Sequence, residues 1–289
     1  MHSIHTLRLP GRPPLVLGPT ALVMGILNVT PDSFSDGGRH NLVEHALTRA
    51  HEMLAEGADI IDIGGESTRP GAELVHVQEE LDRVLPVIDA LIAEGITAPI
   101  SIDTYKPLVA DQAIQAGASI INDVHGLQGA PEMAAVAALY GVPVIAMHWD
   151  RARDTSLPLL ESMPQYFART VELAEAAGMD VSQLILDPGF GFGKTLAENY
   201  AILHKLRAAC ISAAHWDAQM AILVGTSRKS MIGKLLDVPV DNRLAGTIAT
   251  SVLGYVQGGH IFRVHDVKAN RDALRVAQAT LYGPPIELG

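Results

Sequence analysis

The sequence predicts an α/β protein built as a (β/α)8 TIM barrel with a short N-terminal β-hairpin. Three observations predict it: eight short apolar runs, helical patterns between them, and polar or glycine-rich residues directly after each run. Eight such units in 289 residues suit one barrel. A doubly wound open sheet shows the same alternation, and periodicity alone does not count closed strands. The barrel is therefore the prediction, and the open sheet is the runner-up.

The hairpin is predicted at residues 6–18. Two short apolar stretches flank Pro10-Gly11-Arg12-Pro13-Pro14, a run of turn-forming residues. Because this segment precedes the first repeating unit, we expect it to close the N-terminal end of the barrel.

The predicted strands are rich in β-branched residues, and several are apolar throughout, as expected of parallel strands buried on both faces. They cover residues 21–29, 59–63, 99–103, 119–124, 142–147, 184–186, 221–224 and 260–264.

Helical spacing of apolar residues lies between these runs. In the first such segment, Leu42, Leu47 and Leu54 belong to one repeating set, and Gly57 is suited to end the helix. The other helices are predicted at about 78–93, 131–140, 163–177, 197–210, 241–257 and 267–280.

Composition excludes several classes of protein. A net charge of −11 disfavours a nucleic-acid partner, and no apolar run has the roughly 20 residues that a membrane span needs. Residues 1–10 lack the apolar core of a signal peptide. The one cysteine, Cys210, has no internal disulfide partner. We therefore expect a soluble cytoplasmic protein with a single domain over 1–289.

The polar residues after the strands share one chemistry. Asp103, Asn122 and Asp187 suit the N–H edges of a flat heterocycle, and Lys229 suits its carbonyl group. A second set, Arg69, Arg263 and His265, suits a phosphate-bearing group. In a barrel these strand ends meet at the C-terminal face, where active sites lie.

Several polar residues have plainer interpretations. Asp62 is expected to make a structural hydrogen bond, and Asp123 and Asp266 to serve as helix caps or ion-pair partners. Four histidines are expected to face solvent, namely His2, His5, His204 and His215. Gly193-Lys194-Thr195 is similar to the end of a phosphate-binding loop, but Pro188 stands where that loop needs glycine.

Seven segments, in order along the chain, resemble the signatures of the dihydropteroate synthase family. Two are highly specific: Met24-Gly25-Ile26-Leu27-Asn28-Val29-Thr30-Pro31-Asp32-Ser33-Phe34-Ser35-Asp36-Gly37-Gly38 and Gly64-Gly65-Glu66-Ser67-Thr68-Arg69-Pro70-Gly71. The others lie at 103–107, 121–123, 187–194, 227–230 and 263–267. The likeness covers about 22–270.

This resemblance implies a homodimeric barrel whose substrates are a pterin pyrophosphate and para-aminobenzoate, with Mg²⁺ held near Asn28. It implies that Asp103, Asn122, Met147, Asp187, Lys229 and Arg263 hold the pterin. Asn28, Thr68, Arg69, Arg263 and His265 would hold the pyrophosphate. Phe34, Thr68, Pro70, Phe192 and Ser227 would line the benzoate site, with Lys229 nearby. The catalytic residues expected among these are Asn28, Asp103, Lys229, Arg263 and His265.

One segment departs from the family pattern. After Met147-His148 the family often continues with Met and a Gly-x-Pro stretch, whereas this chain has Trp149-Asp150-Arg151-Ala152-Arg153-Asp154-Thr155. The resemblance therefore implies no ligand contacts for the residues of this segment.

Two other functions remain alternatives. One is a barrel that transfers a methyl group from methyltetrahydrofolate to a corrinoid, which would not need Arg69, Arg263 and His265. The other is a catalytically silent relative that binds pterins or partner proteins.

Overall fold

The computed structural model describes residues 2–30, 39–67, 73–211 and 220–284. Its strands are β1 (His5–Leu7), β2 (Leu15–Leu17), β3 (Leu22–Asn28), β4 (Ile60–Gly64), β5 (Ile100–Asp103), β6 (Ile120–Asp123), β7 (Val144–Met147), β8 (Leu184–Asp187), β9 (Ala221–Val224) and β10 (Ile261–Val264).

Helices follow the barrel strands along the chain. They are α1 (Arg39–Ala55), α2 (Val77–Ala93), α3 (Pro107–Ala116), α4 (Glu132–Tyr140), α5 (Leu159–Ala176), α6 (Leu196–His204), α7 (Leu206–Cys210), α8 (Ser230–Leu236), α9 (Leu244–Val256) and α10 (Val267–Tyr282). Short 3-10 turns at Val181–Gln183 and Val240–Asn242 precede β8 and α9.

Eight parallel strands close into a barrel in the order β10-β3-β4-β5-β6-β7-β8-β9. The prediction of a closed barrel is confirmed, and the open-sheet alternative is wrong. Each predicted run matches an observed strand to within two residues at either end. The agreement follows from burial: β4, β6, β7, β8 and β9 are buried along their whole length, so an apolar run marks each one.

The helical pattern along the sequence misses two helices and joins two others into one. The helices α3 and α8 were not predicted, although α3 begins at Pro107, a residue suited to the first turn, and ends before Gly117 at φ 122°. The helix predicted at 197–210 is two helices, α6 and α7, which are separated by Lys205. Lys205 has φ −121° and ψ 39°, which lie outside the helical region and break the rod.

The hairpin closes the N-terminal end of the barrel, as predicted. Strands β1 and β2 pair antiparallel, with Thr6 opposite Val16. Leu7, Leu9 and Leu17 are buried in one apolar cluster with the first residues of several barrel strands, including Leu22, Ile60, Ile120, Ala221 and Ile261. The hairpin is therefore a plug: its leucines pack inside the barrel at the end opposite the carboxyl ends of the strands.

The prediction that His2 and His5 face solvent is wrong. Both are buried: His2 stacks on Tyr255 with ring centroids 4.4 Å apart, and His5 meets the edge of His260 at 4.9 Å. Burial lowers the pKa of both imidazoles, which favours their neutral forms. His204 is exposed, as predicted, and His215 lies outside the described residues.

Among the helices described, none combines the length and the apolar character needed to cross a membrane.

We predict that Leu17→Ala destabilises the protein by about 2–5 kcal/mol, because it leaves a cavity where the plug meets the barrel interior. Val16→Ala is the matched control: Val16 neighbours Leu17 in β2 but is 55% exposed, so its loss should be about 0.5 kcal/mol or less. Denaturant unfolding measures both variants. Equal losses would contradict the plug's role in stability.

Candidate active site

A buried ion-pair network joins the C-terminal parts of three barrel strands. Arg263 on β10 donates from Nε to Asp62 Oδ2 on β4 at 2.6 Å, and from Nη2 to Asp103 Oδ2 on β5 at 2.5 Å. Asp62 has no solvent exposure. The flanking carboxylates raise the pKa of the guanidinium despite its burial, so Arg263 stays charged.

Asp62 also holds Asn122. The amide Nδ2 of Asn122, on β6, donates to Asp62 Oδ2 at 3.3 Å. The expected hydrogen-bonding role of Asp62 is confirmed, but its partners are two predicted pterin-site residues, Arg263 and Asn122. Nothing in the local pattern signals this, because Asp62 lies within the apolar run Ile60-Ile61-Asp62-Ile63.

Asp103 keeps one carboxylate oxygen unused. Its Oδ1 is buried and accepts no hydrogen bond from the described residues. Burial raises the pKa of Asp103 to about 7; Arg263 pulls it down and the neighbouring Asp62 pushes it up. A buried acceptor without a partner is costly, so this oxygen is suited to a donor on a bound molecule.

Asp187, at the end of β8, is the second buried carboxylate. Its Oδ1 accepts from the backbone N–H of Gly189 at 2.7 Å. Burial raises its pKa, while this hydrogen bond and Lys229 oppose the rise. Met147 is its register partner on β7 and is 3% exposed. The structure thus brings together the strand ends that carry the predicted heterocycle-binding residues.

Lys194 is not among the predicted site residues, yet its side chain joins the loops that follow β7 and β8. Its Nζ donates to the carbonyl oxygens of Gly189 at 2.8 Å, and of His148 and Phe192 at 3.1 Å each. Burial lowers its pKa to about 7. These three bonds hold the loop after β8 against the loop after β7. The phosphate-loop likeness at 193–195 therefore marks a structural lysine.

Ser227 and His265 form a pair beside the ion-pair network. Ser227 Oγ lies 3.0 Å from His265 Nδ1 and accepts from the His265 backbone N–H at 3.1 Å. The serine was predicted only as a benzoate contact, and its bonds to the histidine were not predicted. If its hydroxyl proton goes to Nδ1, the ring carries its own proton on Nε2, and Nε2 becomes a donor for an anion.

The carboxyl ends of the barrel strands surround an opening that we call the barrel mouth. The remaining loops place further side chains around this mouth. Lys229 Nζ lies 4.1 Å from the ring centroid of Phe192, and Asn28 is exposed at the end of β3. Asp266 pairs in bidentate fashion with Arg228, at 2.6 and 3.0 Å. Asp123 accepts from the N–H groups of His125 and Leu127. Asp266 is thus an ion-pair partner, one of the two roles expected for it. Asp123 instead holds the turn after β6 and caps no helix, because the next helix, α4, begins only at Glu132.

The base of the loop after β4 is pinned by charges. Lys106 Nζ pairs with both Glu66 and Glu80, and the Tyr105 hydroxyl donates to Glu66 at 3.0 Å. Arg83 donates to the Gly65 carbonyl at 2.7 Å. Four predicted site residues lie outside the described residues: Phe34, Thr68, Arg69 and Pro70.

The donor set offers little for a metal held by protein alone. Within the described ranges, no three His, Cys, Asp or Glu side chains converge as a metal site. The predicted metal residue, Asn28, contributes one amide oxygen.

The chain matches the model of a known family over residues 24–265, "Pterin binding enzyme". It is 51% identical to the dihydropteroate synthase of Bacillus subtilis over 247 residues, which cover 86% of this chain and 84% of the relative.

Solved structures agree with this match. The Xanthomonas albilineans dihydropteroate synthase with 4-aminobenzoic acid superposes with a TM-score of 0.88 at 42% identity, covering 98% of this chain and 100% of that one. The Clostridium difficile dihydropteroate synthase in the presence of pteroic acid gives 0.85 at 46% identity, covering 91% and 97%. The chain therefore belongs to the pterin-binding enzyme family and, within it, to the dihydropteroate synthases, which are transferases.

We predict that pterin binding releases a proton near neutral pH. If Asp103 accepts a pterin N–H it must be ionised, while its pKa in the free protein is about 7. Affinity should therefore be full above pH 7 and fall as the pH drops through 7. Calorimetry from pH 5.5 to 8.5, in buffers of different ionisation enthalpy, measures both effects. Asp103→Asn cannot titrate and should lose the dependence; a dependence kept in that variant would assign the proton elsewhere.

Proposed function

We propose that the chain, acting as a single domain over 1–289, condenses 6-hydroxymethyl-7,8-dihydropterin pyrophosphate with para-aminobenzoate. The products are 7,8-dihydropteroate and pyrophosphate. The observation that carries this proposal is the network of Asp62, Arg263, Asp103 and Asn122 at the barrel mouth, with the Ser227–His265 pair beside it. The first set suits a heterocycle, and the pair suits an anion.

In this proposal the pterin lies on the strand ends. Asp103 and Asp187 accept from its N–H groups, Asn122 pairs with its edge, and Lys229 meets its carbonyl group. Met147 packs on the ring face and Arg263 stacks nearby. The unused buried Oδ1 of Asp103 supports this placement, because a pterin donor would give it the hydrogen bond it lacks.

The pyrophosphate lies beside His265, Arg263 and Asn28, with Thr68 and Arg69 as further contacts. The helix α10 begins at Val267, two residues after His265, so its N-terminal N–H groups add a favourable dipole. Asp62 and Asp103 already offset the charge of Arg263, which leaves His265 as the more specific anion ligand.

Mg²⁺ fits as a metal shared with the substrate. Asn28 offers one oxygen, and Mg²⁺ commonly takes few protein ligands together with substrate phosphates and water. When bound, it would neutralise charge on the leaving pyrophosphate.

The benzoate site is proposed at Phe192, Ser227 and Lys229, with Phe34, Thr68 and Pro70 completing it.

In the proposed reaction, the C–O bond between the pterin methylene and pyrophosphate breaks, and both electrons leave with the oxygen. The amine nitrogen forms the new C–N bond and releases a proton to water. An aromatic amine is unprotonated at pH 7, so no strong base is required. Asp103 and Asp187 stabilise positive charge that develops on the pterin.

We also propose a homodimer and a cytoplasmic location. The helices α8 and α9 expose large apolar side chains, among them Leu235, Leu236 and Leu253 at 58%, 49% and 53%. Such a surface favours burial against a second copy. Cys210 is buried and free, which fits a reducing compartment.

The test of the proposed function is pyrophosphate release with both substrates and Mg²⁺, and with each substrate omitted in turn. We expect release and 7,8-dihydropteroate, seen by mass spectrometry, only when both substrates are present. Methyl transfer from methyltetrahydrofolate to a corrinoid, or tight pterin binding without turnover, would contradict the proposal in favour of the two alternatives.

A second prediction separates the two halves of the site. His265→Ala should weaken pyrophosphate binding by about tenfold, because it removes a charge-assisted donor, and should change binding of a pterin without phosphates less than twofold. Calorimetric titration of each ligand measures this. His204→Ala, at an exposed position of α6, is the control and should change neither. Equal losses for both ligands would refute the assignment.

A further inference from the structure

Four rings from successive loops line one side of the mouth. Phe192 and Trp149 have centroids 5.1 Å apart, Trp149 and His125 are 5.6 Å apart, and His125 and Tyr105 are 4.6 Å apart. The rings follow β8, β7, β6 and β5 in turn. We call this set the aromatic rim. Trp149 is at its centre and belongs to the segment that departs from the family pattern.

Cations stabilise the rim along its length. The Arg151 guanidinium lies 3.9 Å from the Trp149 ring centroid, and its Nη2 is 3.2 Å from His125 Nε2. Burial, with Arg151 nearby, lowers the pKa of His125, so the neutral ring accepts this bond. At the end nearest the pterin site, Lys229 lies over Phe192. Each cation on a ring face adds an attraction and restricts the ring.

The segment that carries Trp149 is anchored on both sides. Arg153 pairs with Glu198 at 2.7 Å, and Glu198 also belongs to the capping box that starts α6. Asp150 accepts from the Ala152 N–H at 2.9 Å and forms a tight turn. Lys194 joins the carbonyl of His148, next to Trp149, to the carbonyl of Phe192. The rings of Trp149 and Phe192 are therefore kept close by their direct packing and by the hydrogen bonds of Lys194 to the neighbouring backbone.

Phe192 needs such support. Its ring contacts both Trp149 and the ammonium of Lys229, and it is only partly buried. A partly exposed ring without a neighbour samples several rotamers, whereas a ring packed on indole is held in one. A ring held in one rotamer presents a fixed wall to a small aromatic acid and lowers the ordering cost of binding.

We propose that Trp149 is a positioning residue for the benzoate site: it holds Phe192 where the aromatic amine binds. The inference rests on the proposed function, in which Phe192 contacts para-aminobenzoate and Lys229 contacts both substrates. Trp149 acts through Phe192, and its ring partners Phe192 and His125 lie outside the proposed pterin set, so we expect it to affect one substrate selectively.

The experiment measures KM for each substrate and kcat in Trp149→Ala and Trp149→Phe. The loss of an aromatic pair should raise KM for para-aminobenzoate roughly threefold to tenfold in Trp149→Ala, with KM for the pterin pyrophosphate changed less than twofold. Trp149→Phe retains a ring and should restore most of the affinity. Leu157→Ala, an exposed position near the same segment, is the matched control and should change neither value.

The outcomes are distinguishable. A wild-type protein that makes no dihydropteroate overturns the proposed function. An active wild type whose Trp149→Ala variant keeps its para-aminobenzoate KM, or loses affinity for both substrates alike, overturns the role of Trp149. If Trp149→Ala does not fold by circular dichroism, Trp149→Leu, which keeps apolar volume but removes the ring, carries the same comparison.

Discussion

The site depends on one buried ion pair, Asp62 with Arg263. Asp62 has no solvent exposure and Arg263 is 21% exposed, so removal of Arg263 would leave a buried carboxylate without its charged partner, which costs about 3–5 kcal/mol. The pair also defines geometry: Asp62 orients Asn122 as well, and Arg263 orients Asp103. Four polar side chains are thereby held in one arrangement before any ligand binds, which lowers the cost of binding a rigid heterocycle.

Only a closed barrel gives this pair its partners. Arg263 is on β10, the last strand in the sequence, and Asp62 is on β4, the second strand of the barrel; the two lie 201 residues apart along the chain. Closure of β10 against β3 brings them together, and β5 and β6 follow as neighbours that supply Asp103 and Asn122. An open sheet with β10 at its far edge would separate Arg263 from both carboxylates. Fold and site chemistry thus depend on the same pairing of strands.

The sequence predicts the strands well because burial on both faces makes each an apolar run. It predicts the heterocycle-binding set because polar residues at strand ends are conspicuous. The sequence predicts only a structural role for Asp62, because apolar neighbours surround it and its contacts come from distant strands. Polarity alone predicts that His2 and His5 face solvent, because it does not reveal that the two rings pack against Tyr255 and His260. The aromatic rim was not predicted, since it joins four loops that no local pattern connects.

Lys229 connects the two parts of the mouth. Asp187 and Arg263 lie among strand ends fixed by the barrel, whereas Phe192 and Trp149 lie on loops fixed by Lys194 and Arg153. The ammonium of Lys229 lies over Phe192. Burial raises the pKa of the Asp103 and Asp187 carboxyls, and the charge of Lys229 opposes that rise. A change in the rim that displaced Phe192 would alter the surroundings of this ammonium. The loops can therefore vary without disturbing the pterin set only while the ring beneath Lys229 stays in place, and in this chain Trp149 and its anchored segment meet that condition.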